Sequence, residues 1–388
     1  MSNLLNRYER NIIKSYPVVD INFKYGNGSY LYDENDVKYL DFTSGIGVNS
    51  LGHCNPKIVN AIKNQAEKFL HLSNIYMNEN AINVAGKLVA LSGMENVFFS
   101  NSGAESNEAA IKIARKYSFD KYGLGRGSIL SLKNSFHGRT ISTLTATGQD
   151  KFHKYFYPFP EGFKYCEPNI ESFNSTVDES ICAIIVEGIQ GEGGVNQLDK
   201  GFVDYLFEIC LKKDILIIFD EVQTGVGRTG AFLYAHKFNK TPDIVTLAKG
   251  LGGGVPIGAV LCGKKTKDTL KYGDHGSTFG GNPLVTAVAD VVLSEFLNEN
   301  FLKEINKKSY IFFKELQNIK SDNVVAIKGM GLMIGIEVKG DLNSYVLKAR
   351  ERNLLILTAG KNTLRLLPSL NIKYEEISKG IQILKEIL

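Results

Sequence analysis

At 388 residues the chain is long enough for more than one hydrophobic core, and its 44% apolar and 22% charged content is ordinary for a globular protein. A net charge of +4, from 45 basic against 41 acidic residues without a long like-charge block, carries no nucleic-acid or membrane-surface signature. Its five cysteines are scattered and its six histidines form no ligand-spaced cluster, which reads as reduced thiols in a cytoplasmic protein without a metal.

The first residues, Met1 to Arg10, lack the apolar stretch and cleavage site of a signal peptide, and no later apolar run approaches the length of a membrane span. From about residue 95 to 265, short apolar runs alternate with helical patterns. Val97–Phe99 precedes a helix from Ala104 to Tyr117, with Ala110, Ile113, Ala114 and Tyr117 on one face. Further strands are expected at 128–130, 183–186, 215–219 and 244–247. This alternation predicts an α/β fold: a large domain built on a mostly parallel sheet covered by helices. After Pro283 come two helices, over about 285–297 and 301–316, short strands at 331–338 and 363–368, and a last helix over 374–388. These predict a smaller α/β domain over 285–388, with an N-terminal segment, 1–52, packing against it and the large domain spanning 53–284.

Two of the strands end in charged residues. Ile215–Phe219 leads into Asp220, and Ile244–Ala248 into Lys249. Ligands of open α/β sheets sit outside the carboxyl ends of such strands. A buried lysine is costly unless its pKa falls or it becomes covalently engaged. A carboxylate beside it points to pyridoxal phosphate, which needs a lysine amine and commonly an Asp at its pyridine nitrogen. Glycines 250 and 252–254 leave room for a planar group.

Ser102 and Glu105 have capping-box spacing, and the small residues Gly103 and Ala104 expose backbone N–H groups at a helix start where a phosphate is favoured. Gly276-Ser277-Thr278 offers further small donors. Arg139 is a carboxylate clamp candidate, and Phe136 could stack on an aromatic ring. Arg365, inside the apolar Leu364–Pro368, needs an acidic partner or a substrate carboxylate, and Glu192 is a candidate. Two signatures mislead. Gly225-Val-Gly227-Arg-Thr-Gly230 matches the dinucleotide pattern, but Glu221–Thr224 separate it from the strand, so it reads as a surface loop. Gly258–Lys265 nearly matches a P-loop, but Lys265 stands where Ser or Thr is needed, so Gly258–Gly263 reads as a small buried strand.

The runs Asp220-Glu-Val-Gln-Thr-Gly-Val-Gly-Arg-Thr-Gly230 and Leu247-Ala-Lys-Gly-Leu-Gly-Gly-Gly254, with Gly45–His53, Phe136–Thr140 and Arg365–Pro368, resemble the class III, fold-type I pyridoxal-phosphate-dependent aminotransferases over essentially the whole chain. The resemblance implies that Lys249 carries the cofactor and acts as the proton-transfer catalyst, and that Asp220 holds the pyridinium proton. It places Gln223 on the ring hydroxyl and the ring between Phe136 and Val222. It places the phosphate on Ser102, Gly103 and Ala104, with Thr278 donated by the second subunit of a homodimer whose active sites lie at the interface. Arg139, Arg365 and Ser277 are the implied substrate-binding residues, with Glu192 gating Arg365 between two half-reactions. The implied reaction moves the terminal amino group of N-acetylornithine to 2-oxoglutarate, as in arginine biosynthesis; ornithine, succinylornithine and 4-aminobutyrate are alternative donors. Outside the family, a dehydrogenase resting on Gly225–Gly230 and a non-catalytic binding homologue are the competing readings. Two positions depart from the family pattern: Asn55 where His is common, and Gly188 where Pro is usual, the latter expected to loosen its loop.

Overall fold

The computed structural model describes residues 2–388. Four sheets organise the described residues, one of them a two-stranded ribbon, and the one that matters for the site has seven strands. An N-terminal meander, β1 (Phe23–Asn27), β2 (Tyr30–Asp33) and β3 (Lys38–Asp41), comes first. Then follow β4 (Asn96–Ser100), β5 (Ser128–Leu132), β6 (Phe163–Cys166) and β7 (Ile181–Val186). A small ribbon, β8 (Ile189–Gln190) with β9 (Asn196–Gln197), precedes β10 (Leu216–Asp220), β11 (Ile244–Leu247) and β12 (Gly258–Cys262). The C-terminal strands are β13 (Val324–Met330), β14 (Met333–Val338), β15 (Leu354–Leu355), β16 (Leu357–Ala359) and β17 (Thr363–Leu366).

The large sheet runs β4-β12-β11-β10-β7-β5-β6. Every strand is parallel except β12, which is antiparallel to both its neighbours. Its central strands are continuous apolar runs because both faces are covered. Along β10, Leu216 and Ile218 enter the core beneath the helix Gly103–Tyr122, while Ile217 and Phe219 enter the core on the other face. The charged residue that ends such a strand therefore emerges between two apolar layers.

In the C-terminal region, β13-β14-β17-β16 form an antiparallel sheet, and β15 pairs in parallel with β3 through Leu354–Leu40 and Leu355–Asp41. The N-terminal meander thus joins the C-terminal region by backbone hydrogen bonds. The helix Pro283–Phe296, which sequence reasoning placed in the C-terminal unit, packs instead on the helices Pro56–Ala66 and Glu79–Ser92. Its buried face, Val285, Val288, Ala289 and Val292, has the spacing of a core-facing stripe.

Two loop expectations need correction. Residues 225–230 do form a loop, but a buried one. Arg228 ties it to the C-terminal sheet by donating from Nη1 to the carbonyls of Leu332 (2.9 Å) and Pro368 (2.6 Å), so an apparently polar, glycine-rich segment becomes interior. Gly188 does not loosen its loop either. A Cβ there would lie 2.0 Å from Cδ1 of the fully buried Tyr234, so glycine is what lets that ring pack. Asn55, the other departure, caps the helix Pro56–Ala66 by accepting from the Lys57 amide (3.0 Å).

Candidate active site

The carboxyl ends of β7, β10 and β11 form the floor of a cleft of about 510 Å³. Asp220, the last residue of β10, is 4% exposed. Its Oδ2 accepts from Asn107 Nδ2 (2.8 Å) and lies 2.7 Å from His137 Nδ1, while Oδ1 accepts from the Val222 amide (3.0 Å). Asn107 is itself oriented: its Oδ1 accepts from Thr246 Oγ1 (2.8 Å) and its Nδ2 also donates to the His137 carbonyl (2.8 Å). Both carboxylate oxygens are thus engaged before any ligand arrives. Sequence reasoning missed Asn107, His137 and Thr246 as orienting residues. For Asn107 a signal existed, since it lies three residues before Ala110 on the helix face that enters the core, where a polar side chain demands a partner.

Lys249 follows β11 and opens the turn 249–252 with φ of +41°, a left-handed conformation that a non-glycine residue adopts only when its surroundings impose it. Among the described residues its amine makes no hydrogen bond or ion pair. Burial holds it below the usual lysine range, opposed by the nearby carboxyls of Glu192, Asp220 and Glu187 and reinforced by Arg365. Glu187, one residue past β7, is pushed the other way: burial and then the charge of Asp220 raise it well above the ordinary carboxyl range.

The helix Gly103–Tyr122 starts at the cleft wall. Ser102 Oγ accepts from the Glu105 amide (3.2 Å), as capping requires. The reciprocal bond is displaced by one residue, because Glu105 Oε2 accepts from the Asn101 amide (2.5 Å) and not from Ser102. Gly103 has no room for a side chain, since a Cβ would sit 2.7 Å from Val222 Cγ1. Its amide and that of Ala104 belong to the first helical turn and have no intrahelical partner. Val222, Phe136, Ser102, Gly103 and Ala104 all line the cleft with Lys249 and Asp220.

Beside the cleft, Arg365 Nη1 donates to Glu192 Oε1 (2.6 Å) and to Oε1 of Gln223 (3.1 Å), which lines it. Arg365, on β17, is 2% exposed, and its Nε is buried without a partner. Burial alone would raise the Glu192 carboxyl, but the guanidinium outweighs it and the net shift is downward. Arg139 is exposed and has no acidic partner among the described residues. Its guanidinium stacks over Phe152, 4.3 Å from the ring centroid, and lies 5.5 Å from that of Phe136. Ser277 and Thr278 are not brought into this cleft. Ser277 Oγ accepts from the Gly280 amide (2.9 Å) and bonds Asn101 Nδ2 (3.2 Å), and Thr278 is exposed.

A half-buried amine unpartnered among the described residues, an oriented carboxylate, two apolar walls and a free helix start in one cleft match the amine-reactive carbonyl, pyridine nitrogen, ring faces and phosphate of pyridoxal phosphate. The aminotransferase class-III family profile matches residues 13–388. An acetylornithine aminotransferase of Aquifex aeolicus is 49% identical over 391 residues, covering all of both chains. A solved ornithine aminotransferase of Toxoplasma gondii, described with partial occupancy of pyridoxal phosphate at its active site, superposes with a TM-score of 0.94 at 31% identity, covering 99% of this chain and 92% of its own. An acetylornithine aminotransferase structure from Elizabethkingia anophelis gives a TM-score of 0.87 at 31% identity over 99% and 97%. The chain therefore belongs to the class-III aminotransferases, a pyridoxal-phosphate-dependent family of fold type I.

Proposed function

We propose that this chain transfers the terminal amino group of N-acetyl-L-ornithine to 2-oxoglutarate, giving N-acetylglutamate 5-semialdehyde and glutamate, a step of arginine biosynthesis. The observation that carries the reading is the Arg365–Glu192 pair beside a cleft whose lining arginine, Arg139, stacks on Phe152 and has no acidic partner among the described residues. One site must accept two different substrates in turn. Arg139 would take the carboxylate of acetylornithine in the first half-reaction. Arg365, neutralised by Glu192 at that stage, would be released for the α-carboxylate of glutamate in the second.

The cleft would hold the cofactor with Asp220 at its pyridine nitrogen and Gln223 at its ring hydroxyl. Phe136 and Val222 would cover the ring faces, and Ser102, Gly103 and Ala104 would take the phosphate. Bound there, pyridoxal phosphate supplies an electron sink and a carrier for the amino group. Lys249 Nζ, held below the usual lysine range, takes a proton from the amine-bearing carbon of the substrate and later returns one. Asn107 and His137 keep Asp220 aimed and engaged throughout.

We place the enzyme in the cytoplasm as a homodimer, with Ser277 and Thr278 serving the cleft of a second copy. Phe69 (49% exposed), Ile75 (81%), Met77 (89%) and Phe279 (60%) are exposed apolar side chains on two segments that Asn74 Nδ2 joins by donating to the Ser277 and Gly280 carbonyls, which supports such an interface. The domain division that fits the packing is an N-terminal segment to about 52, a large domain through the helix Pro283–Phe296, and a C-terminal domain thereafter. Side-by-side kcat/KM values for N-acetylornithine and free ornithine test the substrate assignment. Acetylornithine is expected to lead by at least tenfold, and a preference for ornithine overturns it.

A further inference from the structure

Glu187 is a carboxyl that the mechanism above leaves unused, yet it stands at the floor of the cleft. It follows β7, the neighbour of β10, so it emerges beside Asp220 at the same end of the sheet. It is 5% exposed and lines the cleft. Its Oε2 accepts from the Phe136 amide (2.8 Å), which fixes the backbone of an aromatic wall residue. Its other oxygen has no hydrogen-bond partner among the described residues, and no Lys, Arg or His lies within ion-pair distance of it. A buried carboxylate with one backbone donor, no cation within ion-pair distance and a second carboxylate beside it is an expensive arrangement, which the more distant Lys249 offsets only in part; a neutral carboxylic acid is not.

We propose that Glu187 is a positioning residue that works as a neutral acid, bracing Phe136 with one oxygen and presenting an O–H donor to the bound cofactor or substrate with the other. The groups facing it are Asp220 from β10, Lys249 from the turn after β11 and Glu192 from the loop after β8, the last neutralised by Arg365 of β17. Asp220 spends its charge on Asn107, His137 and the Val222 amide, and so cannot share a proton with Glu187 without losing an aimed acceptor. Keeping one carboxyl neutral lets the other stay charged. Burial and the Asp220 charge act on Glu187 in that same direction. The inference deepens the reading of this cleft, and its first test holds whichever amine is the donor.

Carbon-13 NMR of the full-length protein labelled at glutamate side-chain carboxyls, with and without pyridoxal phosphate, reads the protonation directly. A carboxyl signal still in its protonated position at pH 7 is expected, and it should vanish in Glu187→Gln. Glu221, which burial raises to about 7, gives a second perturbed signal, so Glu221→Gln isolates that of Glu187 should Glu187→Gln not fold. If no protonated signal belongs to Glu187, the proposal fails. The second readout is the cofactor dissociation constant from absorbance titration. Glutamine keeps both a donor and an acceptor, so Glu187→Gln should bind within about threefold of the wild type, while Glu187→Leu should bind at least tenfold more weakly. A glutamine variant as weak as the leucine variant would mean that the charged form is required, and that the proposal is wrong.

Discussion

Removing Glu192 should redistribute the enzyme's preference between its two half-reactions. In Glu192→Ala the Arg365 guanidinium keeps only the bond to Gln223 Oε1 at 3.1 Å and loses the one at 2.6 Å. A hydrogen bond between charged groups is worth about 1.5–3 kcal/mol net. At about 1.36 kcal/mol per decade, that is roughly a 10- to 150-fold change in the affinity of Arg365 for an incoming carboxylate. Glutamate, which must displace Glu192 from Arg365, should therefore gain in the second half-reaction. Acetylornithine, which meets an exposed cation where a neutral pair had been, should lose selectivity against free ornithine. Single-turnover stopped-flow rates for each half-reaction measure both effects, and Glu192→Gln should fall between alanine and the wild type. The ratio of the two half-reaction specificities should move by about tenfold or more. If both change by one common factor, Glu192 is a structural acid and the exchange between substrates has another origin.

Three further expectations follow from the packing. Lys249→Met should abolish transamination and, in the cofactor-free protein, raise thermal stability at neutral pH. The unfolded chain protonates Lys249 below about 10.5 while the folded chain resists, so wild-type stability drops as pH falls through that window and the methionine variant escapes the loss. A melting-temperature gap that does not widen from pH 10 to pH 7 would contradict this. Gly188→Ala should cost about 1–3 kcal/mol through its clash with Tyr234, read as a lowered denaturation midpoint. Were the loop loose, the same change would stabilise the protein by about 0.4–1 kcal/mol, so the sign alone decides. Ser102→Ala should remove the helix cap at a cost of about 0.5–2 kcal/mol and weaken cofactor binding measured by absorbance titration.

Where sequence reasoning succeeded, the physical constraint was local. Continuous β-branched runs announce strands buried on both faces, and a charged residue ending such a run has only the ligand edge of the sheet to occupy, which is why Asp220 and Lys249 were visible at once. Arg365 was visible for the opposite reason. A guanidinium between leucines on a strand must find an acid, and Glu192 supplies it across 173 positions of sequence. Where sequence reasoning failed, the deciding fact was non-local. The glycine-rich loop 225–230 is interior because Arg228 reaches two carbonyls more than 100 residues away. Gly188 is occupied space because of Tyr234. The partners of the helix Pro283–Phe296, the helices Pro56–Ala66 and Glu79–Ser92, were not legible because its apolar stripe says that it packs, not against what.

The residues that surround Asp220 illustrate a different limit. Asn107, His137, Thr246 and Glu187 are unremarkable in sequence, and each becomes informative only when its neighbours are counted. Asp220 can be a charged acceptor at the end of a buried strand because three donors reach its two oxygens, and because the carboxyl beside it is free to remain an acid. In the proposed reaction Lys249 can serve as a base because none of the described residues pairs with its amine. These are opposite treatments of three ionisable groups in one cleft: one charge fully satisfied, one amine left unsatisfied and one acid left uncharged. Such divergence in environment is how a single site comes to hold distinct proton donors and acceptors at one pH. Loss of the Asn107 or His137 side chain should therefore act on Glu187 as well, since an underbonded Asp220 would compete for its proton. A carboxyl titration of Glu187 that shifts downward in Asn107→Ala would expose that coupling, whereas an unchanged titration would show that the two acids are set independently.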